Sequence, residues 1–194
     1  MDLVDQKLMQ KAKRGDQAAF AELVDKYGDK IYAYLYRMVG NREDALDLAQ
    51  ETFLRIYSNL QNFKLGQPFK PWLYRIATNL AIDLLRERQP VIALDAPLFA
   101  DEPLRLELAE QGPGPAEQHE QAELAAYLAQ KVAELPANYR SVILLRHGHD
   151  LSYQEIAEIL QVPVSTIKTR LFRAREALRL KLVEERSLWE AECK

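Results

Sequence analysis

The sequence is poor in cysteine, whose disulfides stabilise small secreted proteins, and in glycine. Its 194 residues include one cysteine, Cys193, so no disulfide can form within the chain. We interpret Cys193 as a plain tail thiol, which is typical of proteins in the reducing cytosol. Only seven glycines are present, and we find no run in which polar and apolar residues strictly alternate. The composition therefore predicts an all-α protein.

Long apolar runs and catalytic motifs are also missing. The N-terminal stretch MDLVDQKLMQKAKRGD has no apolar core of signal-peptide length, and no window approaches the roughly 18 apolar residues of a membrane span. We therefore expect a cytoplasmic protein. Nucleophile elbows and P-loops are absent, and two histidines at the spacing of His147 and His149, with no cysteine nearby, are a weak signal for a metal. We expect no enzyme, no metal, no cofactor and no small-molecule substrate.

Punctuation along the chain predicts two helical units and a linker. Residues 1–88 read as successive helices, with breaks at RGD (14–16), YGD (27–29), VGN (39–41) and 62–71, and a last helix from about Trp72 to Arg88. Residues 89–120 contain five prolines, and the stretch from 95 to 123 has eight acidic residues against one basic residue. Residues 121–188 form the second unit. We expect two small helical domains joined by an acidic, proline-rich linker, with a short helix near 103–110 as an alternative for part of that linker.

The second unit contains a basic helix in a chain of net charge -3. Ser152 and Glu155 form an S-x-x-E capping box, the turn QVPV follows, and the stretch PVSTIKTRLFRAREALR begins the next helix, as in a helix-turn-helix. At 100° per residue, an apolar stripe faces the core; it consists of Ile167, Leu171, Ala174 and Leu178. The opposite face holds Ser165, Lys168, Thr169, Phe172 and Arg173, and the stripe is flanked by Arg170 and Arg175. This pattern predicts binding in the major groove of DNA, because a merely solvated face has no reason to expose a phenyl ring.

The first unit has one helical face that suits a protein partner. In NREDALDLAQETFLRIYSNL, Asn41 can cap the helix, and one side is apolar. The other side is acidic and carries an exposed leucine; its candidate binding residues are Asp47, Gln50, Glu51 and Leu54. Phosphate would be repelled by this face, so a binding partner there would be a protein, with a solvated face as the alternative.

The segment FKLGQPFKPW mixes aromatic residues with cations, as single-stranded bases require. Core packing is the alternative for Phe69 and Trp72. In the following helix, Arg75 and Asn79 point outward one turn apart. The candidate nucleic-acid residues of this region are Lys64, Gly66, Phe69, Trp72, Arg75 and Asn79.

Four stretches, DLAQETFLRIY, WLYRIATNLAIDLLR, ELPANYRSVILLR and LSYQEIAEILQVPVSTIKTRLFRAREAL, resemble in order and spacing the signature segments of extracytoplasmic-function sigma factors, and the overall pattern is nearest the sigma-W group. This resemblance implies a subunit that directs RNA polymerase to promoters. It also implies three partners: core polymerase through the β′ clamp helices and the β flap, promoter DNA, and an anti-sigma factor that is often membrane-anchored and would then hold the chain at the inner face of the membrane.

The same resemblance implies a role for each surface. The docking helix for the clamp helices is matched by Asp47, Gln50, Glu51 and Leu54. Residues 62–71 match the loop that captures a base flipped out of the −10 element. Arg75 and Asn79 match readers of that element, and the exposed face of the basic helix matches the residues presented to the −35 element. A stand-alone helix-turn-helix repressor, which binds a palindromic site without polymerase, is the alternative.

Overall fold

The computed structural model describes the backbone of residues 3–88, 115–149 and 151–192, and the side chains of residues 3–88, 124–149 and 151–183. Within these ranges the chain forms eight α-helices and no strand, which confirms the all-α prediction. The predicted linker up to residue 114, the alternative helix near 103–110 and Cys193 lie outside the described residues. The helices are α1 (Leu3–Lys13), α2 (Gln17–Val39), α3 (Arg42–Ser58), α4 (Phe69–Arg88), α5 (Pro115–Ala133), α6 (Ala137–Ile143), α7 (Tyr153–Leu160) and α8 (Val164–Glu192), with a 3-10 turn at Leu60–Asn62 and a π-helical segment at Leu144–Gly148.

Of the four breaks predicted in the first unit, three are present and one is wrong. Asp16 caps α2 by accepting a hydrogen bond from the Ala19 N–H at 3.1 Å, and Gly40, with a φ of 75°, ends it in the left-handed conformation. The break predicted at residues 27–29 does not occur, because α2 runs through it without interruption. Leu23, Tyr27 and Ile31 are buried at a spacing of four residues, so the helical stripe that packs on the core continues past Gly28.

Two helices begin earlier than the sequence predicts. Helix α4 starts at Phe69 rather than Trp72, and Pro71 lies in its first turn, where a missing N–H costs no helical hydrogen bond. Helix α5 starts at Pro115, inside the segment 89–120 that was predicted to be linker. The same rule explains this start, because a proline is well suited to the first position of a helix.

The two helical units share one continuous core. Helices α1–α4 form the first unit and α5–α8 the second, and their buried residues belong to a single cluster. Arg140 of α6 donates hydrogen bonds to the carbonyls of Met38, Ala133 and Leu135, and so satisfies carbonyls near the ends of α2 and α5. Burial lowers the pKa of the Arg140 guanidinium.

A second contact between the units centres on His149. Tyr74 Oη lies 2.9 Å from His149 Nδ1, and Lys70 Nζ donates to the His149 carbonyl at 3.0 Å. Burial raises the pKa of the Tyr74 hydroxyl, so this group stays protonated and can donate. The first turn of α4 therefore contacts the segment just before the helix-turn-helix. Among the described helices, none has the length and hydropathy needed to cross a membrane.

Candidate nucleic-acid and protein interfaces

Helix α3 presents its predicted partner face to solvent. Asn41 Oδ1 accepts from the Asp44 N–H at 3.1 Å and caps the helix, while Ala45, Thr52 and Ile56 are buried against the first unit. The predicted residues lie on the other side: Asp47, Gln50 and Leu54 are exposed, and Glu51 is half-buried and pairs with Arg55 at 2.7 Å. The Leu54 side chain is 61% exposed, so an apolar group is held in water at the centre of this face.

An apolar groove of about 590 Å³ runs beside this face, between α2 and α3. Leu46 and Tyr57 of α3 are 43% and 48% exposed in it. Its remaining walls include Phe20, Val24, Tyr32, Ala49, Gln50, Phe53 and Leu54. The sequence reading missed Leu46 and Tyr57, although they continue the stripe of Gln50 and Leu54 at helical spacing and could have been found from it. The groove residues contributed by α2 could not have been found from the sequence, because their position depends on how α2 and α3 pack.

The aromatic residues around 62–71 form a cluster of tilted and edge-to-face rings rather than a fully open platform. Phe69 is only 1% exposed, so the structure places it in the core and not on a nucleic-acid surface. The Trp72 ring is half-buried, 4.9 Å from Phe63 and 6.2 Å from Phe69. Phe69 in turn meets Tyr27 of α2 edge-on at 5.5 Å. Phe69 is buried because the small helical unit needs large apolar groups in its core. Its ring packs against Trp72 from the core side.

The other residues predicted for this region differ in access. Lys64, Gly66 and Asn79 are exposed. Gly66 has a φ of 93°, which favours glycine, and a side chain there would have open space but a strained backbone. Trp72 and Arg75 line a cleft of about 390 Å³ whose far wall is Glu158 and Gln161 of the second unit; Gln67, Pro68 and Pro71 complete it. The structure thus brings Trp72 and Arg75 against the helix-turn-helix, whereas the three exposed residues face water.

The helix-turn-helix forms as the sequence predicts. The Ser152 N–H donates to Glu155 Oε2 at 2.8 Å, and the Glu155 N–H donates to Ser152 Oγ at 3.3 Å, which completes the capping box. Burial acts to raise the pKa of Glu155, but the hydrogen bonds from the Ser152 backbone and hydroxyl outweigh it, and the pKa lies below its usual value. The glycine missing from the turn is replaced by Gln161, which ends α7 with a φ of 53° in the left-handed region.

Helix α8 separates its two faces as its periodicity predicts. Ile167, Leu171 and Ala174 are buried. On the opposite side Ser165, Lys168 and Thr169 are exposed, whereas half-burial is found for Arg170, Phe172, Arg173 and Arg175. The Thr169 hydroxyl donates to the Ser165 carbonyl at 3.1 Å, and the guanidinium of Arg175 lies 3.4 Å from His147 Nε2. A polar and cationic face with one accessible ring is suited to base edges and phosphates.

Within the side chains that the structure describes, no group of three or more histidine, cysteine or carboxylate residues could hold a metal ion.

Comparison with known protein families shows the class of protein to which the chain belongs. Residues 23–91 match the Sigma-70 region 2 family, and residues 125–178 match the Sigma-70, region 4 family. The chain is 45% identical over 184 residues to the ECF RNA polymerase sigma factor SigW of Bacillus subtilis (strain 168), which covers 94% of this chain and 98% of the relative. It is 38% identical over 180 residues to the RNA polymerase sigma-H factor of Pseudomonas aeruginosa, covering 90% and 91%.

The chain therefore belongs to the extracytoplasmic-function sigma factors of RNA polymerase, a family of proteins that are not enzymes. Among solved structures it resembles CnrH in complex with the cytosolic domain of CnrY, with a TM-score of 0.68, 26% identity, and coverage of 93% of this chain and 98% of the other. The sigma factor RpoE of Bartonella quintana, in complex with the anti-sigma factor NepR, shares the fold at a TM-score of 0.60 and 23% identity, with coverage of 84% and 96%.

Proposed function

We propose that this sigma factor divides promoter recognition and polymerase binding among three surfaces. Helix α3 and its groove bind core RNA polymerase, the 62–71 segment with α4 binds the −10 element, and the exposed face of α8 binds the −35 element. The observation that carries the proposal is α8, where Lys168 and Thr169 stand exposed opposite the buried Ile167 and Leu171. A helix buried along one stripe and cationic on the other can enter a major groove without disturbing its own core.

The α3 surface is assigned to protein for two physical reasons. Asp47 is exposed, so the face repels phosphate, and Leu54 beside the apolar groove offers a hydrophobic contact that nucleic acid would not use well. The β′ clamp helices are the proposed partner of this face. The β flap is the second proposed contact on the polymerase.

The −10 surface is assigned to single-stranded DNA. Lys64 supplies a cation for phosphate, Gly66 gives the loop its left-handed turn, and Asn79 offers hydrogen bonds to a base edge. Because Trp72 and Arg75 line the cleft beside α7, their contact with DNA requires this cleft to widen. Phe69 contributes only as the support of Trp72. A flipped base costs a few kcal/mol of unstacking, which these contacts offset.

We also propose that an anti-sigma factor controls the chain. The resembling CnrH structure contains the cytosolic domain of CnrY, so a protein of this fold has a surface for a second polypeptide. The apolar groove and the cationic α8 face are the surfaces that such a partner would cover. The chain would act in the cytoplasm, where its polymerase is, and a membrane-bound anti-sigma factor would hold it at the inner face of the membrane.

The test is open-complex formation on a promoter library by core polymerase, with and without this chain. Opening only in its presence is the expected result, and the selected sequences would define both promoter elements. Binding of the chain alone to a palindromic site, with no effect on polymerase, would instead establish the repressor alternative.

The assignment of α8 is tested with a matched pair of variants in the same assay. Lys168→Ala with Arg173→Ala should weaken −35 recognition tenfold or more, with core binding unchanged, because each lost base or phosphate contact is worth on the order of 1 kcal/mol or more. Arg179→Ala is the control, since this cation of α8 pairs with Glu176 at 3.1 Å and lies about 16 Å further along the helix axis than Lys168. Equal loss of core binding in the double variant would contradict the division of the surfaces.

A further inference from the structure

Side chains from α1 hold the backbone of the loop between the 3-10 turn and α4. The Gly66 N–H donates to Gln6 Oε1 at 2.9 Å, and Gln6 Nε2 donates to the Gln67 carbonyl. Lys13 Nζ donates to the Phe63 carbonyl at 2.6 Å. One amide and one ammonium group, distant in sequence, thus hold both ends of the segment that carries Lys64 and Gly66.

The 3-10 turn at the start of the loop is fixed to the same helix. Lys13 Nζ also donates to the Gln61 carbonyl at 3.0 Å, and Gln61 Nε2 donates back to the Lys13 carbonyl at 2.9 Å. Gln6 and Lys13 are seven residues apart, so they lie on one side of α1, separated by about 10.5 Å along its axis. This separation matches two fastening points on one loop.

Helix α1 is itself anchored in the first unit. Asp5 is buried and accepts hydrogen bonds from Lys26 Nζ at 2.7 Å and from the Tyr27 hydroxyl at 2.5 Å, while Met9 is fully buried. Tyr27 also contacts the Phe69 ring that supports Trp72. The position of α1 is therefore fixed by α2, and Gln6 and Lys13 transmit that position to the loop.

The loop has little structure of its own. Within it, the Gln67 N–H bonds to the Lys64 carbonyl at 3.2 Å, and residues 64–67 are exposed. Ordering each backbone residue of a free loop costs about 1–2 kcal/mol, so a loop that is ordered before binding retains more of its contact energy for the ligand.

We propose that Gln6 and Lys13 are positioning residues for recognition of the −10 element, and that α1 holds the loop in its base-capturing shape before DNA arrives. This inference rests on the proposed function of the loop as a single-stranded DNA surface. Gln6 and Lys13 act through the backbone of the loop and need not touch DNA.

The experiment compares Gln6→Ala and Lys13→Met in the full chain, bound to core polymerase. The probe is a fluorescent single-stranded oligonucleotide with the −10 sequence selected from the library. Affinity for the probe should fall about tenfold, the amide of Gly66 should exchange its hydrogen faster in Gln6→Ala, and binding to core polymerase and to −35 duplex should be unchanged. Lys7→Ala and Lys11→Ala are the controls, because both residues are exposed on α1 and make none of these loop bonds.

Conservative variants separate positioning from general stability. Gln6→Glu keeps an acceptor for the Gly66 N–H but loses the donor to the Gln67 carbonyl, so it should lose less affinity than Gln6→Ala. Lys13→Arg keeps donors for both carbonyls and should restore most of the binding that Lys13→Met loses.

Lys64→Ala distinguishes failure of this inference from failure of the proposed function. If Lys64→Ala weakens probe binding while Gln6→Ala and Lys13→Met bind normally despite faster exchange at Gly66, the loop reads DNA but α1 does not position it, and the inference is overturned. If Lys64→Ala also binds normally, the loop is not the DNA surface, and both proposals fall.

Discussion

The two helical units present their candidate DNA surfaces in different ways. In the second unit, the surface is one face of α8, and neighbours in sequence position it: the Ser152 capping box starts α7, and the turn at Gln161 leads from α7 into α8. In the first unit, the surface includes a loop held by Gln6 and Lys13, which lie 48 to 61 residues away in sequence. A surface built locally depends on one well-packed helix, whereas a surface built from distant parts depends on several separate anchors.

The largest loss of stability should come from truncating a buried side chain that packs α8 onto the core. Leu171→Ala removes a side chain that is 1% exposed at the centre of the α8 stripe, and it should lower the free energy of unfolding by about 2–5 kcal/mol. Urea unfolding followed by circular dichroism measures this loss. Leu180→Ala, at an exposed position of the same helix, should change stability little. Equal losses in the two variants would show that α8 is not held by this stripe.

A smaller effect should follow from removing the anchor of the distant surface. Asp5→Ala leaves the Tyr27 hydroxyl without its acceptor in a buried site and should cost about 1–3 kcal/mol. The same change should speed hydrogen exchange at the amide of Gly66, because α1 would no longer be fixed to α2 through this contact. Normal exchange at Gly66 in a folded Asp5→Ala protein would show that the loop does not depend on this anchor.

Removing the cap of α7 should cost about 1 kcal/mol at neutral pH, measured as Ser152→Ala in urea unfolding. The contribution of Glu155 has a defined pH dependence, since its pKa is lowered in the folded protein. This stabilisation is fully present above the pKa that Glu155 has in the unfolded chain. It is lost as the pH falls through the lower pKa that Glu155 has in the folded protein. The difference between Ser152→Ala and the parent protein should therefore narrow as the pH falls below the ordinary pKa of a glutamate, about 4.3. A difference independent of pH would indicate that the carboxylate takes no part in the cap.

The smallest effect should be a gain in stability from Gln161→Gly. Gln161→Gly relieves a left-handed backbone, which costs a non-glycine residue about 1 kcal/mol or more, but it also adds freedom to the unfolded chain. The net gain in stability should be about 0.5 kcal/mol, seen as a higher midpoint in urea. A loss of stability would indicate that the Gln161 side chain, which lines the cleft beside Trp72, contributes more than its backbone costs.

The same contrast explains what could be predicted from the sequence. The capping box and the burial of Ile167, Leu171 and Ala174 were predicted correctly because caps and helical periodicity are local, whereas Phe172 and Arg173 of the predicted outward face are half-buried. The break predicted at residues 27–29 was wrong, because burial of Tyr27 and Ile31 outweighs the weak helix preference of Gly28. Phe69 was assigned to a surface because its neighbours are cationic, although only the packing of α2 against α4 decides that it is buried.

The residues that the sequence reading overlooked are of the long-range kind. Gln6 and Lys13 belong to no motif, and no periodicity within α1 relates them to a loop some fifty residues later. One wall of the groove between α2 and α3 could be predicted from the sequence, because Leu46 and Tyr57 follow the helical spacing of Leu54. The other wall could not, because it depends on how α2 packs against α3.

The open groove also has a consequence for the chain when it is alone. Leu46, Leu54 and Tyr57 keep apolar surface in water next to the groove, and surfaces of this kind favour self-association and recognition by chaperones and proteases. We therefore expect the free chain to aggregate more readily than a chain whose groove is covered by another protein. The surface proposed to bind polymerase would thus also limit how long the chain persists unbound.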